Sequence, residues 1–315
     1  MSLRVAITGA NGFLGQALAS RLQTAGCSVT GIVRRQFAAP YPLCVVSGLD
    51  DEQLAPLLAE CDVVVHTAAR AHVMADEAVD PLAAYRAVNV EGSLSIARRA
   101  AEQGVKRFVF ISSIKVNGES TQPGAPFTAE TAPAPEDAYG ISKHEAEQAL
   151  TALAAETGME VVIIRPPLVY GPGVKGNFVG MIKVVLKGLP LPLAWVNNRR
   201  SLVGLANLVD LIRVCLDHPA AAGQVFLVSD GDDLSTAELL RRVGAALGKP
   251  ARLLPVPPAL LRLGATLLGK QAVADRLLGS LQVDMSATQH TLGWAPPHTV
   301  DEGLQGCCGP YQKGN

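Results

Sequence analysis

The chain has 315 residues, with 27 basic and 28 acidic side chains and 49% hydrophobic residues. That length suits one large domain or two linked ones around a sizeable core. The near-neutral balance argues against nucleic acid or a membrane surface as the main partner, and no apolar run reaches the ~18 residues that a membrane span needs.

The first strand begins by Leu3, which leaves no room for a signal peptide. Six scattered cysteines (Cys27, Cys44, Cys61, Cys215, Cys307 and Cys308) lack metal-ligand spacing, so a reduced, cytoplasmic chain without a metal site is expected. The vicinal Cys307–Cys308 pair falls in a polar tail and reads as incidental.

An apolar run at 5–8 predicts the first strand, followed by Gly9-Ala10-Asn11-Gly12-Phe13-Leu14-Gly15 and a helical pattern with Leu14, Leu18 and Leu22 on one face. A strand, a glycine turn and a helix in that order make a phosphate site, because the backbone can approach a pyrophosphate at the helix N-terminus. Further strands are predicted at 29–33, 43–46 and 62–66, the last running into Thr67-Ala68-Ala69. A long helix at 81–104, a strand at 108–111, a proline-rich loop at 123–135, a helix at 137–157 and a strand at 161–164 follow. Continuous apolar strands separated by helices indicate a parallel sheet buried on both faces.

The second half is richer in proline and glycine, with helices predicted at 178–186 and 208–215, a strand at 225–228 and a mostly helical stretch from Leu234. The most apolar region, 255–281, is interrupted by Arg262, Lys270, Asp275 and Arg276 and reads as a buried amphipathic helix. The expected fold is α/β, a doubly wound parallel sheet of Rossmann type with a smaller, mostly helical substrate lobe. The expected division is 1–168 with 201–232 for the dinucleotide, and 169–200 with 233–315 for the substrate.

Tyr139 and Lys143 are four apart on a predicted helix and so share a face. Tyrosine has an ordinary pKa of about 10, and a nearby lysine cation favours the phenolate and brings it towards working range. Ser112-Ser113 ends the fifth strand, where ligands bind in open α/β sheets. His66, His72 and His144 have no metal-ligand partner at useful spacing, and His66 reads as structural.

These features together resemble the extended short-chain dehydrogenase/reductase family, in particular its nucleotide-sugar 4-epimerases and 4-reductases. The resemblance rests on Thr8 to Gly15, His66 to Ala69, Asn89-Val90-Glu91-Gly92, Ser112-Ser113, Tyr139 with Lys143, Arg165-Pro166 through Tyr170-Gly171-Pro172-Gly173, and Leu292-Gly293-Trp294. It implies Tyr139 as general acid/base, Lys143 as its activator and ribose ligand, and Ser113, five residues before Gly118, as the hydroxyl that orients substrate. It also implies cofactor contacts from Gly9 to Gly15, Thr67, Ala68, Ala69, Asn89, Ser112, Pro166 and Pro167. Substrate contacts are implied at Lys115, Val116, Asn177, Phe178 and Arg200, with Arg276 as a second clamp on the diphosphate. One departure is Val116-Asn117-Gly118, where the family usually has a tyrosine before the glycine.

The second strand ends Val33-Arg34-Arg35, without the acid that normally bonds the ribose of NAD. Arginines there suit a 2′-phosphate, so NADP(H) is expected, with NAD(H) as the alternative. Gly48-Leu49-Asp50 stands where the family places an adenine contact, a role that falls to Asp50. NADPH favours a reductase acting on a UDP-4-keto-6-deoxy-N-acetylhexosamine for surface polysaccharide. A UDP-glucose or UDP-N-acetylglucosamine 4-epimerase is the alternative. A nucleotide sensor on the same fold is disfavoured because Tyr139 and Lys143 are both present. A homodimer through the helices at 81–104 and 137–157 is expected from the resemblance.

Overall fold

The computed structural model describes residues 2–71, 80–122 and 124–312. His72 and Pro123 lie outside the described residues.

Strands and helices alternate from the start: β1 (Arg4–Thr8), α1 (Phe13–Thr24), β2 (Ser28–Val33), β3 (Leu43–Val45), α2 (Leu54–Ala59), β4 (Val63–His66), α3 (Pro81–Arg86), α4 (Gly92–Glu102) and β5 (Arg107–Ile111). Then come α5 (Ala138–Thr157), β6 (Glu160–Arg165), β7 (Leu168–Tyr170), α6 (Asn177–Leu186), β8 (Leu202–Gly204), α7 (Leu205–Cys215) and β9 (Val225–Leu227). The chain closes with α8 (Thr236–Ala246), α9 (Pro258–Leu267), α10 (Gln271–Leu278), α11 (Ser286–Leu292) and α12 (Val300–Gln312).

Among the described residues, seven strands form one parallel sheet in the order β3-β2-β1-β4-β5-β6-β9. β1 is flanked by β2 on one side and β4 on the other, so the winding reverses there, and Thr8 lies opposite His66 at the carboxyl ends. That reversal opens the crevice in which doubly wound sheets bind ligands. The fold class is therefore the expected Rossmann-type α/β architecture.

Side-chain alternation sends Val5 and Ile7 to one face of β1 and Ala6 to the other. The first face packs with Leu18 and Leu22 of α1 and with Leu208, Leu211 and Ile212 of α7. The second packs Val64, Phe108 and Phe110 against Ile96 and Ala97 of α4 and Leu150 and Leu153 of α5. Each valine, leucine, isoleucine or phenylalanine among them contributes about 1.5–3 kcal/mol through burial. A third core joins Tyr170, Phe178 and Ile182 to Leu240, Val243, Leu304, Cys307 and Cys308.

Four readings need correction. The Cys307–Cys308 pair is not in a polar tail, because α12 folds back and buries both thiols in the third core. The 81–104 helix is interrupted by a wider π turn at Ala87–Glu91, which holds Asn89 inside the protein. Three short elements, α2, β7 and β8, are too brief to show a period in the sequence. The 255–281 stretch is not one buried helix: it divides into α9 and α10, and α9 has no buried residue. Among the described residues, no helix is long and apolar enough to cross a membrane.

Candidate active site

At the crevice, Gly9 adopts a left-handed φ of 67°, and a Cβ there would sit 2.9 Å from the Ala68 amide nitrogen. At Gly15 a Cβ would lie 2.2 Å from the Gly9 carbonyl oxygen, so only glycine lets α1 start this close to β1. Gly12 precedes α1 without a side-chain cap, which leaves the first-turn amides of Phe13 and Leu14 free for a ligand. Asn11 and Gly12 are exposed, and Phe13 and Leu14 are half-buried. The second turn is tied to the first: the Thr67 hydroxyl donates to the Thr8 carbonyl at 2.6 Å, and the Ala68 amide donates to Thr8 Oγ1 at 3.2 Å. Ala69 is exposed beside them. An uncapped helix N-terminus facing a glycine cradle fits the diphosphate of a dinucleotide.

Arg34 and Arg35 follow β2 directly, exposed and without a hydrogen bond or ion pair among the described residues. Asp50 is also exposed, whereas neighbouring Gly48 and Leu49 are half-buried. This loop is pinned by Arg99, which donates to the carbonyls of Asp50 at 2.9 Å and Asp51 at 2.8 Å. That arginine sits on a helix distant in sequence and carries no recognisable motif, so sequence reading missed it.

The second half of the site forms where α5 begins. Asp137 caps α5, its carboxylate accepting the Gly140 amide at 2.7 Å. Gly140 is required because a Cβ there would meet the Lys115 carbonyl at 2.8 Å. This close approach sets Ser113, which caps the short turn Ile114–Val116, beside Tyr139. Burial pushes the Tyr139 phenol above its ordinary value, the Asp137 charge adds to the rise, and a hydrogen bond from Ser113 opposes it.

Lys143 lies one turn along α5 and is 1% exposed. Its ammonium donates to the Ile111 carbonyl at 2.8 Å and sits 4.3 Å from the Phe110 ring centroid. Burial pulls its pKa down from 10.5 to about 7, and the Glu147 carboxylate partly resists. The sequence reading expected the lysine to bring the tyrosine down. Here burial dominates both groups and drives their pKa values apart, the phenol upward and the ammonium downward. Tyr85 packs edge-on to Tyr139 with ring centroids 6.1 Å apart and closes that side.

The two serines have different surroundings. Ser112 donates to Glu147, which also forms a two-pronged ion pair with Arg165, at 2.9 Å from Nε and 2.5 Å from Nη2. Arg165 in turn reaches Asn117 Oδ1 at 3.1 Å. Asn117 stands where the family usually has a tyrosine and is 2% exposed. Asn89 is fully enclosed, bonding both the amide and the carbonyl of Arg70 and, at 3.0 Å, the Ser142 hydroxyl. Asn89 thus couples the turn after β4 to α5 rather than presenting its amide to a ligand. Pro166 and Pro167 are buried, and the Pro166 carbonyl accepts the Ile114 amide at 3.0 Å.

His66 is enclosed between Thr8 Oγ1 at 2.8 Å and Ser93 Oγ at 2.9 Å. Burial and then the Lys143 charge hold its pKa down at about 3, so it is a neutral strut at neutral pH.

Not every residue assigned to substrate lines the cleft. Val116 is 0% exposed and Phe178 2%, the latter stacked on Tyr170 with centroids 5.6 Å apart. Both serve the core, because their apolar side chains gain more from burial than from an aqueous cleft. Lys115 is engaged by Glu119 at 2.7 Å and Asp137 at 2.5 Å. Asn177 is exposed at the start of α6. Arg200 and Arg276 are brought together, since Arg200 Nη1 donates to the carbonyls of Arg276 at 3.3 Å and Gly279 at 3.1 Å. Nearby, Gly124, Asn197, Arg199, Ser280 and Gln282 line a cavity of about 340 Å³. Arg199, rather than its neighbour, faces that space.

A family model described as the NAD dependent epimerase/dehydratase family matches residues 5–229. The chain belongs to this family. The match spans the glycine turn, Ser113, Tyr139, Lys143 and all of the seven-stranded sheet but its first residue, Arg4.

Among relatives in the family, a UDP-glucose 4-epimerase of Vibrio cholerae is 48% identical over 100% of this chain and 97% of that protein. An N-acetyl-alpha-D-glucosaminyl-diphospho-ditrans,octacis-undecaprenol 4-epimerase of Escherichia coli O157:H7 is 28% identical over 96% of this chain and 94% of its own length. The crystal structure of a UDP-N-acetylglucosamine 4-epimerase from Bacillus cereus superposes with a TM-score of 0.80 at 19% identity, covering 99% of this chain and 100% of that one. At that identity the likeness speaks to the fold alone.

Proposed function

We propose that the protein is a 4-epimerase of a UDP-linked hexose. The observation that carries this is the 48% identity, end to end, with a UDP-glucose 4-epimerase, over a chain that holds Ser113, Tyr139 and Lys143 at one strand end. The second relative acts on a sugar that is also joined to a diphosphate, which supports a diphosphate-linked hexose as the substrate class.

The cofactor, when bound, supplies hydride uptake at C4 and its return from the other face. Gly9, Gly12, Gly15 and the N-terminus of α1 would hold its diphosphate, with Thr67, Ala68 and Ala69 beside it, and Asp50 its adenine. Tyr139, in its phenolate form, takes the proton from the C4 hydroxyl and later gives it back from the phenol, within hydrogen-bond reach of Ser113, which orients that oxygen. Lys143, titrating at about 7, adds positive charge behind the phenol in its protonated form. Asn177, Arg200 and Arg276 clamp the UDP diphosphate, and Arg199 reaches it from the adjoining cavity. In this reading residues 1–168 and 201–232 serve the dinucleotide, 169–200 and 233–315 serve the sugar nucleotide, and two copies pair through the helices at 81–104 and 137–157.

Arg34 and Arg35 support a preference for NADP(H) over NAD(H). Two unpaired cations on a 2′-phosphate would also keep the cofactor bound through the cycle, as an epimerase requires. A titration with both cofactors tests this: tighter NAD(H) binding overturns it. The same arginines favour the second reading, a reductase of a UDP-4-keto-6-deoxy-N-acetylhexosamine that uses fresh NADPH each turnover.

The deciding experiment incubates the protein with UDP-glucose or UDP-N-acetylglucosamine and follows C4 by NMR. Appearance of the C4 epimer without net cofactor consumption is the expected result. No epimer, together with stoichiometric NADPH oxidation on the 4-keto sugar, establishes the reductase instead. Tyr139→Phe is expected to lower turnover about 10²- to 10⁴-fold and leave cofactor binding intact; intact turnover would remove Tyr139 from the chemistry.

A further inference from the structure

Helix α9 is apolar on two sides. Leu261 and Ala265 pack partly against the third core, whereas Leu260, Leu263 and Leu267 form a second stripe at i, i+3 and i+7 that faces away from it. These three are 57%, 57% and 78% exposed, and Leu268, next in the chain, is 73% exposed. Three open leucines on a ten-residue helix with no buried residue, and a fourth just after it, leave an apolar face uncovered.

The charge along this stretch of chain points to the chemistry of a cover. Between positions 249 and 282 the basic residues are Lys249, Arg252, Arg262, Lys270 and Arg276, and the only acid is Asp275. All six are exposed. The segment leading into α9 is tied to the loop before β8: the Ala194 amide donates to the Leu254 carbonyl at 3.1 Å. Leu254 is 48% exposed, and Trp195, beside Ala194, is 58% exposed. Leucines, a tryptophan and a basic flank together are the chemistry of a helix lying in a membrane interface. A twofold pairing of copies on this face is disfavoured, because it would set the same cations against each other.

We propose that α9, with its basic flank, docks this protein on an anionic lipid surface. The leucine stripe enters the headgroup boundary while Arg262 and Lys270 meet lipid phosphates. The sheet and the catalytic trio stay in water, since docking uses only one outer face of the C-terminal region. The inference does not depend on the epimerase reading.

The test is co-sedimentation of the full chain with vesicles of phosphatidylcholine alone and of phosphatidylcholine mixed with phosphatidylglycerol. Binding is expected to the mixed vesicles only, and to weaken as salt is raised. Leu263→Glu with Leu267→Glu, and separately Arg262→Glu with Lys270→Glu, are each expected to cut the bound fraction roughly tenfold or more. Both pairs are exposed, so circular dichroism and the unfolding midpoint should match wild type. Should the leucine pair misfold, the charge pair still decides the matter. Wild-type protein that stays in the supernatant with both vesicles overturns the proposal. So does wild-type binding by the charge pair, or a solution dimer that the leucine pair dissociates without any vesicle binding.

Discussion

Lys143 shows how one side chain trades stability for chemistry. Its pKa in the folded protein is about 7 against an ordinary 10.5. Between those two values the unfolded chain binds a proton that the folded chain does not. Stability should therefore rise with pH across that window and carry its full cost below it. Lys143→Met should raise the urea midpoint at pH 7 and flatten its dependence between pH 7 and 10, while turnover falls about 10²-fold. Urea titrations across that range check the first part; an unchanged slope would mean the charge is solvated in the folded state. His66 has the same sign at lower pH. Its folded value of about 3 against 6.5 makes stability fall as the solution is acidified through that range.

Residue types and spacings made this scale partly legible in the sequence. Tyr139 and Lys143 were visible because helical spacing alone puts them on one face. The division of labour between the serines was not, since it depends on Glu147 and Arg165, 18 residues apart in sequence, closing on Ser112. Val116 and Phe178 were misjudged for a related reason: an apolar residue beside a site and one beneath it look alike in a sequence.

At the scale of elements, the glycine turn and the head of α5 are built by close backbone approach. Gly15→Ala places a methyl 2.2 Å from the Gly9 carbonyl, which neither strand nor helix can yield without moving. The expected result is loss of cofactor binding in a calorimetric titration at near-wild-type helix content. Retained affinity would show that the turn can relax. The Glu147–Arg165 pair joins α5 to β6 with side chains only 5% and 6% exposed. Arg165→Met should cost about 3–5 kcal/mol in chemical denaturation, because it leaves Glu147 buried without its cation. Adding Glu147→Leu should recover part of that loss. A single substitution costing under about 1 kcal/mol would show that the carboxylate simply protonates.

Across the whole molecule, the sheet and the C-terminal third are joined through Asp230. It accepts from Tyr170 of β7 at 2.7 Å, from the Gly204 amide at 2.8 Å and from Asn207 of α7 at 2.7 Å. Asn207 continues to the His298 carbonyl at 2.8 Å, just before α12. Tyr170 packs against α12 so closely that a Cβ at Gly303 would fall 2.7 Å from its hydroxyl. Asp230→Ala strands several buried donors at once and should cost about 3 kcal/mol or more by denaturant titration. A loss confined to α12, read by hydrogen exchange, would instead mean that the C-terminal helix unfolds separately.

The sequence by itself determined a doubly wound parallel sheet, because most of its buried strands are continuous apolar runs separated by helical periods. It also determined the glycine cradle and the tyrosine–lysine pair, because their spacing is local and their chemistry is written in residue type. Only the tertiary structure decided what long-range packing controls. It folded α12 back over Cys307 and Cys308, turned Asn89 inward to bridge Arg70 and Ser142, and held the Tyr139 and Lys143 pKa values by burial. It also left the α9 leucines open. A hydrophobic period says that a face will be covered; whether the cover comes from the same chain depends on where the other elements lie.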